Sequence, residues 1–175
     1  VNGLCVVVAL SILVALLFLS HKTSDVVMLS TVFSVILILI PFLIFNYPYG
    51  KIFLGDLGAY GLGLIISMLT IILFGRHPEI SPWGAVLILI YPATEVVFSL
   101  LRRAMKNVSI YHADKAHLHL KFFHFFRPQP GYKKMANALV TPTLSPVWLF
   151  PLIAISWTYQ KPLFILINCQ KTLKF

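Results

Sequence analysis

The sequence predicts an all-α polytopic membrane protein, a bundle of about five transmembrane helices with one long basic loop on the cytoplasmic side. Three observations carry this. Only 11% of the 175 residues are charged, against about 25% in a soluble domain. The chain is 59% hydrophobic, with a mean hydropathy of +0.90. The apolar residues also fall into separate runs, each near the roughly 17–25 residues of helix that cross a bilayer core. The 14 Lys and Arg outnumber the 5 Asp and Glu, for a net charge of +9. In a soluble protein this excess would suggest nucleic acid; here the positive-inside rule accounts for it and no nucleic-acid partner is expected.

The first run, residues 4–20, is almost purely apolar and is closed by His21 and Lys22. It lacks the basic flank of a signal peptide, no Met precedes it, and it reads as the continuation of a longer chain. The second, 26–45, contains Pro41 as a candidate kink. The third, 58–74, holds Gly58, Gly61 and Gly63, small residues that let helices approach closely. The fourth, 83–101, contains Pro92 and Glu95. The fifth, 143–159, is interrupted by Pro146 and Pro151, and the apolar run 162–169 is too short to span. Cys5 and Cys169 lie in apolar surroundings without metal spacing and read as buried bystanders. The whole chain reads as one membrane domain with no internal repeat.

Charge orients the bundle. Residues 102–141 carry Arg102, Arg103, Lys106, Lys115, Lys121, Arg127, Lys133 and Lys134 against one acid, Asp114, which marks this loop as cytoplasmic. Such a loop would also attract anionic headgroups or a phosphate-bearing substrate. Parity then puts residues 75–82 and 21–25 outside, and 46–57 and Asn2 inside. Two polar islands, one around Asp56 and one from His112 to His119, therefore share the cytoplasmic face.

Each candidate residue has two readings. Asp56, in Gly55-Asp56-Leu57-Gly58, suits a hard cation such as Mg2+, which takes one or two carboxylates with phosphates and waters; it also suits a helix N-cap. His112, His117 and His119, with Asp114 among them, suit phosphate binding or acid–base chemistry near neutral pH; they also suit an idle interfacial loop, and their spacing is poor for zinc. Glu95, an acid inside an apolar run, is either functional or bonded to a neighbour such as a carbonyl freed by Pro92. Phe122, Phe123, Phe125 and Phe126 form an interfacial anchor or a lid over a lipid tail.

Taken together, these motifs resemble a known family. Asn46 through Ala59 resembles the Phe-x-Gly-Asp-x-Gly segment of the polyprenyl-phosphate N-acetylhexosamine-1-phosphate transferases. Pro92-Ala93-Thr94-Glu95, followed by Leu101-Arg102-Arg103, is similar to the helix before their histidine loop. His112 through Leu120 is similar to the loop itself, and Val1-Asn2-Gly3-Leu4 to the tail of their Asp-Gly-x-Asn-Gly-Leu motif. The likeness is closer to the N-acetylglucosamine-1-phosphate branch than to the muramoyl-pentapeptide branch. It implies transfer of a sugar 1-phosphate from a UDP-N-acetylhexosamine to a polyprenyl phosphate, with release of UMP. The setting it implies is the cytoplasmic face of a bacterial inner membrane, in cell-wall or surface-glycan (lipopolysaccharide) synthesis. By the same resemblance, Asp56 would bind Mg2+ and act in catalysis, His117 and His119 would line the sugar-nucleotide phosphates, and Asn2, His112, Asp114 and Lys115 would contact substrate.

The sequence departs from that pattern. Ala113 replaces a Pro, Lys115 an Arg, Leu120 the last His and Ala59 a Ser. The family's paired aspartates on an earlier loop, and the Asp-Gly before Val1, are absent, so these 175 residues alone are expected to be inactive, as the C-terminal half of such an enzyme. A transporter piece, with Glu95 lining a pathway, and a degenerate remnant remain as alternatives.

Overall fold

The computed structural model describes residues 3–105, 117–129 and 135–158. Eight helices and no strand occur among them: α1 (Leu4–Lys22), α2 (Val26–Asn46), α3 (Gly55–Arg76), α4 (Trp83–Ile88), α5 (Ile90–Met105), α6 (Leu118–Phe126), α7 (Ala136–Thr143) and α8 (Ser145–Thr158). The first three match the expected spans within a few residues. Four stretches are long and apolar enough to cross a membrane: α1, α2, α3 and the run Ala136–Ser156 that joins α7 to α8.

α1 is the central helix, packed against α2, α3 and α8. Its Leu13, Leu16 and Leu19 have no exposed surface. α2 and α3 bury only one stripe each: Met28, Val32, Ile36 and Leu39 on α2, and Leu62, Ile66, Leu69 and Leu73 on α3. Their outer faces present Ile38, Ile44, Leu64 and Ile71, the pattern of helices whose solvent is lipid.

Four expectations are corrected. The fourth span is two helices, broken at Leu89. Pro92 lacks an N–H, so no bond can return from it to Ile88, and proline is tolerated in the first turn of a new helix, where α5 places it. The fifth apolar stretch starts at Ala136 rather than 143, which shortens the polar loop. Gly61 and Gly63 mediate no helix contact: they flank Leu62 on the exposed side, and an added Cβ would meet nothing within 4 Å. Close approach is instead made at Gly84, where a Cβ would stand 2.9 Å from the Ile155 side chain of α8. Cys5 is likewise exposed rather than buried, because it falls outside the stripe of α1 that faces its neighbours; Cys169 lies outside the described residues.

The two ends of the bundle are built differently. At one, Asn46 ends α2 and joins two other segments: its Oδ1 accepts the Gly3 N–H at 2.8 Å, and its Nδ2 donates to the Ile52 carbonyl at 2.6 Å. The Tyr47 hydroxyl donates to the Ala138 carbonyl at 3.2 Å, which brings in α7. Gly3 takes φ +75°, and a Cβ there would lie 2.8 Å from the Tyr47 ring, so glycine is required on both counts. At the other end, Asp25 caps α2 by accepting the Met28 N–H at 2.9 Å. It also meets His77 Nε2 at 3.1 Å and Arg76 Nη1 at 3.5 Å, while His77 Nδ1 meets Glu79 at 2.9 Å.

This second cluster makes stability depend on pH. The Met28 N–H, then His77, hold the Asp25 carboxyl below its ordinary value; Asp25, then Glu79, hold the His77 imidazole above its own. The Asp25 contribution is present above about pH 4 and is lost as pH falls through its lowered pKa. The His77 contribution is present below about pH 6.5 and is lost as pH rises through its raised pKa. The lock is therefore strongest between those values. The thermal midpoint is expected to fall as pH rises from about 6 to 9, and His77→Ala to flatten that limb; equal slopes in the two proteins would contradict the assignment.

Candidate functional site

Asp56 and His117 lie at the Asn46 end. α3 starts there, directly after the loop that Asn46 ties down, and its first turn holds Asp56. α6, which His117 precedes, packs against α7, and α7 reaches the same end through Ala138. The described contacts thus link both segments to the Asn46 end of the bundle.

Asp56 does not cap its helix. The N-cap position is Leu54, with no side-chain bond, and Gly55 makes the turn into the helix with φ +67°. The Asp56 carboxylate is exposed and has no hydrogen-bond or ion-pair partner among the described residues. It stands in the first turn, where unpaired N–H groups and the helix dipole favour negative charge. Among the described residues, no three His, Cys, Asp or Glu converge as a cation site.

The histidines are better ordered by their neighbours. His117 has extended backbone angles, φ −58° and ψ 147°, immediately before α6. His119 lies inside the helix. Two positions apart within one helix, the rings would diverge by about 200°. The extended residue removes that divergence, and the rings stack with centroids 5.4 Å apart and planes 13° apart. His117 makes no capping bond because its Nδ1 meets Glu95 Oε2 on α5 at 3.0 Å. The two side chains are 29% and 19% exposed, so the pair is shielded yet reachable. Burial pushes the His119 imidazole below its ordinary value, against the opposing pull of the Glu95 charge.

Glu95 also lines a cavity of about 320 Å3, together with Arg102, Lys121, Phe98, Leu118 and Val147. Phe122, Phe123 and Phe126 pack against the core, while Phe125 points outward and is 62% exposed. The aromatic patch is therefore mainly an anchor for α6. Asn2, His112, Asp114 and Lys115 lie outside the described residues. The sequence singled out both Glu95 and His117 but not their pairing; the available signal was an acid inside an apolar run on the same side as an isolated histidine group.

Residues 1–74 match the family model described as glycosyl transferase family 4. The matched segment contains α1, α2 and most of α3, and with them Asp56; Glu95, His117 and His119 follow it. Similarity to whole proteins extends further. A probable undecaprenyl-phosphate N-acetylglucosaminyl 1-phosphate transferase of Bacillus subtilis is 33% identical over 103 residues, 57% of this chain and 28% of that protein. An undecaprenyl-phosphate alpha-N-acetylglucosaminyl 1-phosphate transferase of Thermotoga maritima is 32% identical over 118 residues, 67% of this chain and 36% of that protein. The chain thus spans about a third of the length of these homologues. No solved structure matches it significantly.

Proposed function

We propose that the chain supplies two walls of a phosphoryl-transfer site, at which an N-acetylhexosamine 1-phosphate moves from a UDP-sugar to a polyprenyl phosphate on the cytoplasmic face of a bacterial membrane. The observation that carries this reading is the placement of a carboxylate without a partner among the described residues, Asp56, and an oriented histidine, His117, at one end of an apolar bundle. The sequence homologues are named for chemistry of this kind.

The geometry suits the reaction. A phosphate on a lipid and a water-soluble diphosphate meet only at the membrane surface, where both groups stand. An oxygen of the polyprenyl phosphate attacks the β-phosphorus of the UDP-sugar, the bond between the β-phosphorus and the α-phosphate oxygen breaks, and UMP leaves. Asp56 fits Mg2+ in the manner usual for phosphate sites, with one carboxylate beside substrate phosphates and waters. When bound, the ion offsets charge on the transferring phosphoryl group. His117 and His119 supply ring nitrogens to the phosphates, and Arg102 and Lys121 set a positive field beside them. The remaining walls belong to the part of the homologues that these residues do not cover.

In the intact protein, His117→Ala is expected to lower transfer about 100-fold with unchanged helix content. Undiminished transfer in that variant would remove His117 from the site.

A further inference from the structure

Glu95 stands on α5 between Thr94 and Val96 with its side chain only 19% exposed, and a carboxylate so shielded is costly without a partner. Its carboxylate meets His117, 22 residues further along the chain. We propose that Glu95 is a positioning residue: its carboxylate accepts the Nδ1–H of His117, fixing the ring's tautomer and leaving Nε2 as the atom that meets substrate. The inference rests on the sugar-phosphate transfer reading for what Nε2 does, but not for the orientation itself.

Three features support it. The 3.0 Å contact is an ordinary N–H···O hydrogen-bond length, and both groups are shielded enough for it to hold. The His117 side chain makes no capping bond to its own helix, so Glu95 sets the ring's direction. The His119 ring lies parallel to it and limits rotation about the side chain. A carboxylate behind a working imidazole fixes which nitrogen carries the proton, and proton exchange is then confined to the other nitrogen. Arg102 and Lys121 share the cavity with Glu95, so the competing role is to neutralise those cations.

The two roles separate in the intact protein in lipid nanodiscs with 15N-labelled histidine, the His117 signals being assigned by their loss in His117→Asn. At about pH 9, above the imidazole range, the wild type is expected to show the Nδ1–H tautomer, Glu95→Gln to keep it, and Glu95→Ala to pass to Nε2–H. For transfer, Glu95→Ala is expected to lower kcat about 10-fold at unchanged KM. Glu95→Gln restores most of that loss, and Glu95→Ala combined with His117→Ala falls no lower than His117→Ala alone.

An Nε2–H tautomer in the wild type would overturn the proposal. So would losses that multiply in the double variant, or a Gln variant as impaired as the Ala variant with the tautomer intact. The tautomer is read without turnover. A wild type that transfers nothing would therefore count against the functional reading, while the spectrum still decides the positioning role.

Discussion

Asp56→Asn in the intact protein is expected to abolish most sugar-phosphate transfer, by about 10³-fold, or about 4 kcal/mol of transition-state stabilisation. The substitution is nearly isosteric and keeps an oxygen that can bind a cation weakly, but it removes the charge. The same change is expected to leave stability almost untouched. Asp56 caps nothing, contacts no described partner and is exposed, so the folded state loses only a dipole interaction of about 0.3–1 kcal/mol. This split between activity and stability distinguishes a site carboxylate from a structural one. Transfer assays beside thermal melts read both quantities. A variant with full activity, or one whose activity falls only as far as its folded fraction, would contradict the role.

Asn46→Ala is the counterpart, with a large effect on stability. Asn46 is 5% exposed and bonds Gly3 and Ile52 at once. Its removal leaves the buried Gly3 N–H without its partner, at about 1–3 kcal/mol, and also breaks the part-buried bond to the Ile52 carbonyl. The thermal midpoint is expected to drop by on the order of 10 °C, using the scaling for domains of this size. Activity should fall with it, because the loop from Asn46 to Leu54 sets where α3 and Asp56 begin. Gly3→Ala attacks the same junction from the other side, through the Tyr47 ring. The two variants share one contact, so their combined cost is expected to be less than the sum. Full additivity would mean that Asn46 and Gly3 act separately.

The sequence made the long apolar helices legible because lipid imposes length and composition together. The runs at 4–20, 26–45 and 58–74 became α1, α2 and α3 with ends moved by a few residues. It was less informative where proline acts. Pro92 sits inside an apolar run of spanning length, and hydropathy alone does not say that the helix restarts at Ile90. Pro146 reads as an interruption in the sequence, yet it sits in the first turn of α8, where a proline costs little, and the apolar stretch extends back to Ala136. The glycines of α3 show the same limit: composition identified small residues, but which face they occupy depends on where Leu62 and Ile66 find their partners.

For the site, the sequence pointed to candidate residues, but not to their partners. Glu95 and His117 are 22 residues apart across a loop, and no local pattern joins them. The Asp25–His77 cluster went unread for a similar reason, since its members end different helices and meet only when α2 and α3 pack side by side. Asp56 was left between cap and ligand; the structure removes the cap by placing Leu54 at that position.

The central claim is that Asp56 and His117 serve transfer of the phosphate together with the sugar. The most direct measurement gives the intact protein UDP-N-acetylglucosamine labelled with 32P in the β-phosphate, with polyprenyl phosphate and Mg2+. The account predicts that the label moves into the lipid phase in step with UMP release, and that Asp56→Asn and His117→Ala both suppress it. Label that stays in water as UDP while the sugar alone moves, or that never leaves the nucleotide, would contradict it.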